Sequence, residues 1–131
     1  MIDGWRLFDG IDASQFILES ISYGRPVEVS LVGAFDTEGR GSRRDIELPL
    51  HRDGDYSTNY KDKIDYVCLF CVRPGDATTL IDDGSVVHEL NLSENQGVII
   101  DNKACRHGRK GTVGDRILLR LWIEKQGPNR S

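Results

Sequence analysis

What this 131-residue sequence lacks narrows its function quickly. It has no surplus of basic residues: 17 Lys and Arg stand against 21 Asp and Glu, for a net charge of −4. Nucleic-acid binding needs a concentrated cationic surface, so nucleic acid is not the expected partner. The two basic clusters, Arg40 with Arg43 and Arg44, and Arg106 with Arg109 and Lys110, read as solvated loops. No apolar run approaches the roughly 20 residues that cross a bilayer. The first ten residues carry Asp3, Arg6 and Asp9 and do not read as a signal peptide, so no membrane partner is expected. Cysteine is scarce. Cys68, Cys71 and Cys105 form an odd set that fits reduced thiols in a cytoplasmic protein better than a disulfide framework. Repeats, linkers and low-complexity segments are also missing.

What is present fits one domain over residues 1–131, with 38% hydrophobic and 29% charged residues. A chain of this size buries a core without help from disulfides or structural zinc. A metal site here is therefore expected to do chemistry.

One helix is clearly signalled. Asp12 caps it, Gln15 completes a capping box, and Ile11 with Phe16 forms a hydrophobic staple. Gly24 is expected to supply a left-handed stop, placing the helix at about residues 13–22. After Pro26 the pattern turns to β, with Val27, Val29 and Leu31 alternating. Residues 36–45 read as a mobile loop, 46–51 as a short strand and 54–63 as polar turns. The run 64–72 is apolar throughout, as in a strand buried on both faces. Further strands are expected at 78–81, 97–100 and 116–124, whereas 86–92 is ambiguous. One helix followed by seven or eight strands predicts a mainly β sandwich or barrel.

The chemistry begins with His51-Arg52-Asp53. On a strand, residues i and i+2 share a face, so an imidazole and a carboxylate point together. Two ligands make no useful site alone. His107, in Cys105-Arg106-His107-Gly108-Arg109, would complete a two-histidine, one-carboxylate set that leaves three positions open on an octahedral iron. The last strand adds independent weight. Arg116, Leu118, Arg120 and Trp122 share one face, while Ile117, Leu119, Leu121 and Ile123 share the other. Both faces are rich in apolar residues, so two arginines sit in buried or cleft-like surroundings. A buried guanidinium is costly without a partner. An internal salt bridge is one answer; a small anionic ligand is the other, well matched to the planar fork.

These residues carry a resemblance. His107-Gly108-Arg109 followed by Asp115-Arg116-Ile117-Leu118-Leu119-Arg120 resembles the C-terminal signature of the taurine dioxygenase and clavaminate synthase group. There a distal iron histidine precedes an arginine that pairs with the far carboxylate of 2-oxoglutarate. His51-Arg52-Asp53 is similar to the group's His-x-Asp motif, and Gly75-Asp76-Ala77-Thr78-Thr79-Leu80 to its Gly-Asp-Thr-Leu element.

The resemblance covers residues 46–124. It implies a double-stranded β-helix, the cupin-like jelly roll, with one N-terminal helix. It also implies that His51, Asp53 and His107 hold Fe(II), and that Arg116 and Thr79 bind 2-oxoglutarate. Arg120 would lie at the co-substrate's other end or by the substrate. Oxidative decarboxylation to succinate, using O2, would be coupled to hydroxylation of an unactivated C–H bond in a small, amino-acid-like metabolite. Retention of Asp53 favours hydroxylation over halogenation and leaves desaturation and cyclisation open.

The chain departs from the group in length, since only residues 82–96 stand where the large insertion belongs. The site is therefore expected to be open, completed by a partner subunit in a homodimer, or shaped for a large substrate. His107 and Arg116 also stand slightly closer than in the group, so Arg116 and Arg120 compete for the main co-substrate contact, with Arg116 favoured.

Glu47, Tyr56, Ser57 and Asn59 are candidate substrate contacts. Cys68 and Cys71 fall on opposite faces of their strand and read as core. Cys105 shares parity with His107 and is expected near the metal if that segment is extended, and His88 reads as structural or exposed. Two other readings compete: a 2-oxoglutarate-independent metal barrel, which gives Arg116 and Thr79 no role, and a non-catalytic ligand-binding barrel.

Overall fold

The computed structural model describes residues 4–33, 48–54, 59–60 and 62–125. Nine strands and one helix make up these residues. They are β1 (Trp5–Asp9), α1 (Ala13–Ile21), β2 (Arg25–Val32), β3 (Leu48–His51), β4 (Tyr66–Arg73), β5 (Thr78–Asp82), β6 (Val87–Leu90), β7 (Gln96–Asp101), β8 (Arg106–Lys110) and β9 (Ile117–Glu124). The strands form a five-stranded sheet in the order β1-β7-β4-β9-β2 and a four-stranded sheet in the order β3-β8-β5-β6. All pairings are antiparallel. This is the expected mainly β jelly roll. Among the described residues, no helix is long and apolar enough to cross a membrane.

The strand reading of residues 64–72 is correct for a physical reason. β4 is central, and its alternate residues feed two separate cores. Val67, Leu69 and Cys71 pack between the sheets with Val98, Ile100, Leu118 and Trp122. Tyr66, Cys68 and Phe70 pack on the outer face with Phe16 of α1, Ile99, Leu121 and Ile123. Cys68 and Cys71 thus lie on opposite faces, as their odd offset requires. All three thiols are free and buried. Burial raises each of them, Cys68 to about 12. The thiolate is the reacting species, so a disulfide reagent at pH 8 should label none of them in the folded protein and all three after denaturation. Rapid native labelling would contradict this packing.

The capping box is present: Asp12 accepts from the Gln15 N–H at 2.8 Å, and Gln15 Oε1 accepts from the Asp12 N–H at 3.1 Å. Three expectations need correction. Gly24 is not a left-handed stop; the helix ends at Ser22 with right-handed geometry, and Gly24 is absent from the positive-φ residues. What Gly24 provides is space, because a Cβ there would lie 2.2 Å from the Glu124 carbonyl oxygen. β1 was not expected before the helix. It is a short edge strand pairing with β7, and its mixed charges hide the pattern. Residues 106–110 are an interior strand of the smaller sheet and not a solvated loop: Arg106 and Lys110 are exposed, whereas Arg109 is only 6% exposed. The expected loop at 36–45, with its basic cluster, lies outside the described residues.

Candidate metal centre

Two paired strands and the turn that follows the first bring the metal donors together. β3 pairs with β8 so that His51 stands opposite His107. The imidazole centroids are 4.6 Å apart. Gly108 makes this approach feasible, since a Cβ there would lie 2.6 Å from the Leu48 carbonyl oxygen and 3.0 Å from that of Pro49. Asp53 follows β3 and turns its carboxylate between the rings. Its Oδ1 is 3.0 Å from His51 Nε2 and 3.4 Å from His107 Nε2. One donor atom from each residue lies within 4.8 Å of the other two, and both His107 and Asp53 are buried.

The surroundings fix these atoms. His51 Nδ1 is 2.7 Å from the Pro49 carbonyl oxygen, which can only accept, so Nδ1 carries its proton and Nε2 is the ligating atom. Trp122 Nε1 donates to Asp53 Oδ2 at 2.7 Å, leaving Oδ1 turned to the imidazoles. Asn102 holds the Asp53 backbone from both sides. Its Oδ1 accepts from the Asp53 N–H at 3.0 Å, and its Nδ2 donates to the Asp53 and Ile64 carbonyls at 2.9 Å each.

Burial opposes ionisation of Asp53, but His107 and His51 outweigh it and hold the carboxyl well below its ordinary range. Burial likewise works against protonated His51; the Asp53 and Pro49 contacts overcome it and raise the imidazole. Two imidazole nitrogens and one carboxylate oxygen within 4.8 Å of one another form a donor set that a divalent cation fits.

The same cleft, about 400 Å³ including its open mouth, extends from the triad to Thr79, Arg109, Arg116 and Arg120. Arg116 is 5% exposed, donates to Thr79 Oγ1 at 3.0 Å and reaches the Ala77 carbonyl at 3.4 Å. It has no acidic partner among the described residues. Burial, then the neighbouring Arg109 guanidinium, lowers Arg116 to about 10, which still leaves it charged at neutral pH. Arg120 differs. It pairs with Glu28 at 3.4 Å and stacks over Trp122 with its Cζ 4.4 Å from the ring centroid.

The sequence reading located His51, Asp53, His107, Thr79, Arg116 and Arg120, and the fold gathers all six around one cleft. Glu47, Tyr56 and Ser57 lie outside the described residues. Asn59 is exposed and does not line the cleft. Cys105 does not join the triad; it is buried in the core between the sheets. His88 is a partly exposed partner of Asp83, at 2.7 Å.

Three neighbours of the site went unread. Arg109 shares strand parity with His107, a usable signal once 106–110 is a strand. Trp122 shares parity with Arg116 and Arg120. Asn102 gave no signal in the sequence.

No family model and no curated protein matches this sequence. Solved structures do match in fold. A prolyl-4-hydroxylase from Pseudomonas putida aligns with a TM-score of 0.60 at 9% identity, covering 95% of this chain and 89% of that one. A 2OG-Fe(II) oxygenase family oxidoreductase from Burkholderia pseudomallei aligns with a TM-score of 0.56 at 9% identity, covering 97% and 87%. A Trichoplax adhaerens prolyl hydroxylase, solved with a hypoxia inducible factor peptide fragment, aligns with a TM-score of 0.56 at 10% identity, covering 94% and 84%. At such identities the likeness establishes the double-stranded β-helix.

Proposed function

We propose that this chain is an Fe(II)- and 2-oxoglutarate-dependent oxygenase, a shortened relative of the taurine dioxygenase and clavaminate synthase group. In this reading it converts 2-oxoglutarate to succinate while hydroxylating an unactivated C–H bond of an amino-acid-like small molecule, in the reducing cytoplasm that its free thiols suit. His51 Nε2, His107 Nε2 and Asp53 Oδ1 would hold the iron, which when bound supplies dioxygen activation and C–H oxidation.

The observation that carries this reading is Arg116. Among the described residues its guanidinium is buried without a carboxylate partner, and such burial costs folding free energy. It lines the same cleft as the metal donors, with the Thr79 hydroxyl 3.0 Å away. A dicarboxylate reaching from the metal to Arg116 would satisfy it. Its two-pronged donor geometry would orient the acid and limit its motion. Arg120 is half satisfied by Glu28, which leaves it to the substrate or to the near end of the co-substrate. A metal barrel that ignores 2-oxoglutarate gives Arg116 no role. The neighbour described as a 2OG-Fe(II) oxygenase family oxidoreductase supports the reading through the fold it shares.

Anaerobic protein loaded with Fe(II) should develop a weak visible charge-transfer band when 2-oxoglutarate is added. Admitting oxygen should bleach the band, faster when the correct amino-acid-like compound is present. A metal-loaded protein that never shows the band would point to a 2-oxoglutarate-independent or non-catalytic barrel.

A further inference from the structure

The contact between Trp122 and Asp53 links residues 69 positions apart in the chain and is the shortest polar contact that Asp53 makes with the described residues. We propose that Trp122 is a positioning residue that limits Asp53 to one ligating oxygen. This inference rests on the metal reading above.

A carboxylate can bind a cation through one oxygen or both, and a second oxygen would occupy a position that a chelating co-substrate or oxygen needs. Rotation of Asp53 about its side chain would bring Oδ2 toward the metal. The indole N–H prevents this by holding Oδ2 at 2.7 Å on the far side. The indole is itself held by two contacts. Arg120 lies over the ring, its Cζ 4.4 Å from the centroid, and Tyr60 meets the ring edge-on, with centroids 5.2 Å apart and planes at 67°. Both Trp122 and Asp53 are buried, so water does not readily replace the contact. Meanwhile Asn102 fixes the Asp53 backbone. Main chain and outer oxygen are therefore anchored separately, and only Oδ1 is left for a cation.

The test uses Co(II), whose visible spectrum reports coordination number and geometry. Titration of the wild type should give a saturable spectrum. Trp122→Phe keeps the packing and removes the N–H, and should change both the shape and the intensity of the spectrum. It should also weaken Co(II) binding about ten- to a hundredfold, the range for loss of a group that orients a ligand. Incorporation of 3-benzothienylalanine at position 122 replaces only the N–H with sulfur, and should give the same result if the phenylalanine variant does not fold. A wild-type spectrum and affinity in both substitutions would overturn the role of Trp122 while leaving the metal reading intact. Failure of the wild type itself to bind Co(II) would overturn both.

Discussion

Replacing Arg116 with alanine is expected to weaken 2-oxoglutarate binding by roughly 30-fold to several thousand-fold while leaving metal affinity unchanged. The range follows from the roughly 2–5 kcal/mol typical of deleting one partner of a buried, hydrogen-bonded charge pair, at about 1.4 kcal/mol per tenfold. Metal affinity should hold because none of the polar contacts of Arg116 involves the triad; they go to Thr79 and Ala77.

A second consequence separates a co-substrate anchor from a structural arginine. With no carboxylate partner among the described residues, Arg116 costs the ligand-free protein stability. Arg116→Met retains the apolar stem, so the ligand-free variant should melt at or above the wild-type temperature. Wild-type melting should rise with 2-oxoglutarate concentration by mass action, and that of Arg116→Met should not. Undiminished co-substrate affinity in Arg116→Ala would remove the main support for the proposed function.

Asp53→Ala should abolish practical metal binding, with a loss exceeding the roughly 10- to 100-fold that a mere orienting neighbour contributes. Two neutral imidazoles would remain, and the anionic donor would be gone. The same change leaves the buried Trp122 N–H without its acceptor, at about 1–3 kcal/mol. Relief of the carboxylate's own desolvation offsets part of that cost. Asp53→Asn separates these effects. Its amide oxygen can accept from Trp122, so thermal stability should recover toward wild type while metal binding stays far below it. Asp53→Ala binding Fe(II) as tightly as wild type, by anaerobic titration, would refute the triad.

How legible this molecule is in its sequence depends on the kind of signal. β4 and β9 were readable because apolar residues on both faces of a strand leave few alternatives to a central position. The α1 start was readable because a capping box is local. His51 and Asp53 could be paired because strand parity spans two residues and needs no knowledge of the fold. β8 is hidden in the sequence for the opposite reason. Its inward-facing residues are His107 and Arg109, and a buried polar residue in a functional cleft has the same hydropathy as a solvated one. At Gly24 the need for a bare Cα arises from the Glu124 backbone, a hundred residues away, and not from the end of the helix.

The sequence by itself determined the strand-rich pattern, the face shared by His51 and Asp53, and the face shared by Arg116, Arg120 and Trp122. These follow from the two-residue period of a strand, which the chain carries locally. Only the tertiary structure decided that His107 stands across from His51, that Arg116 lacks a carboxylate among the described residues while Arg120 has Glu28, and that Trp122 and Asn102 hold Asp53. Those facts depend on which strands become neighbours. That choice is made by the burial of two whole faces of β4 and β9, which no local stretch of sequence encodes.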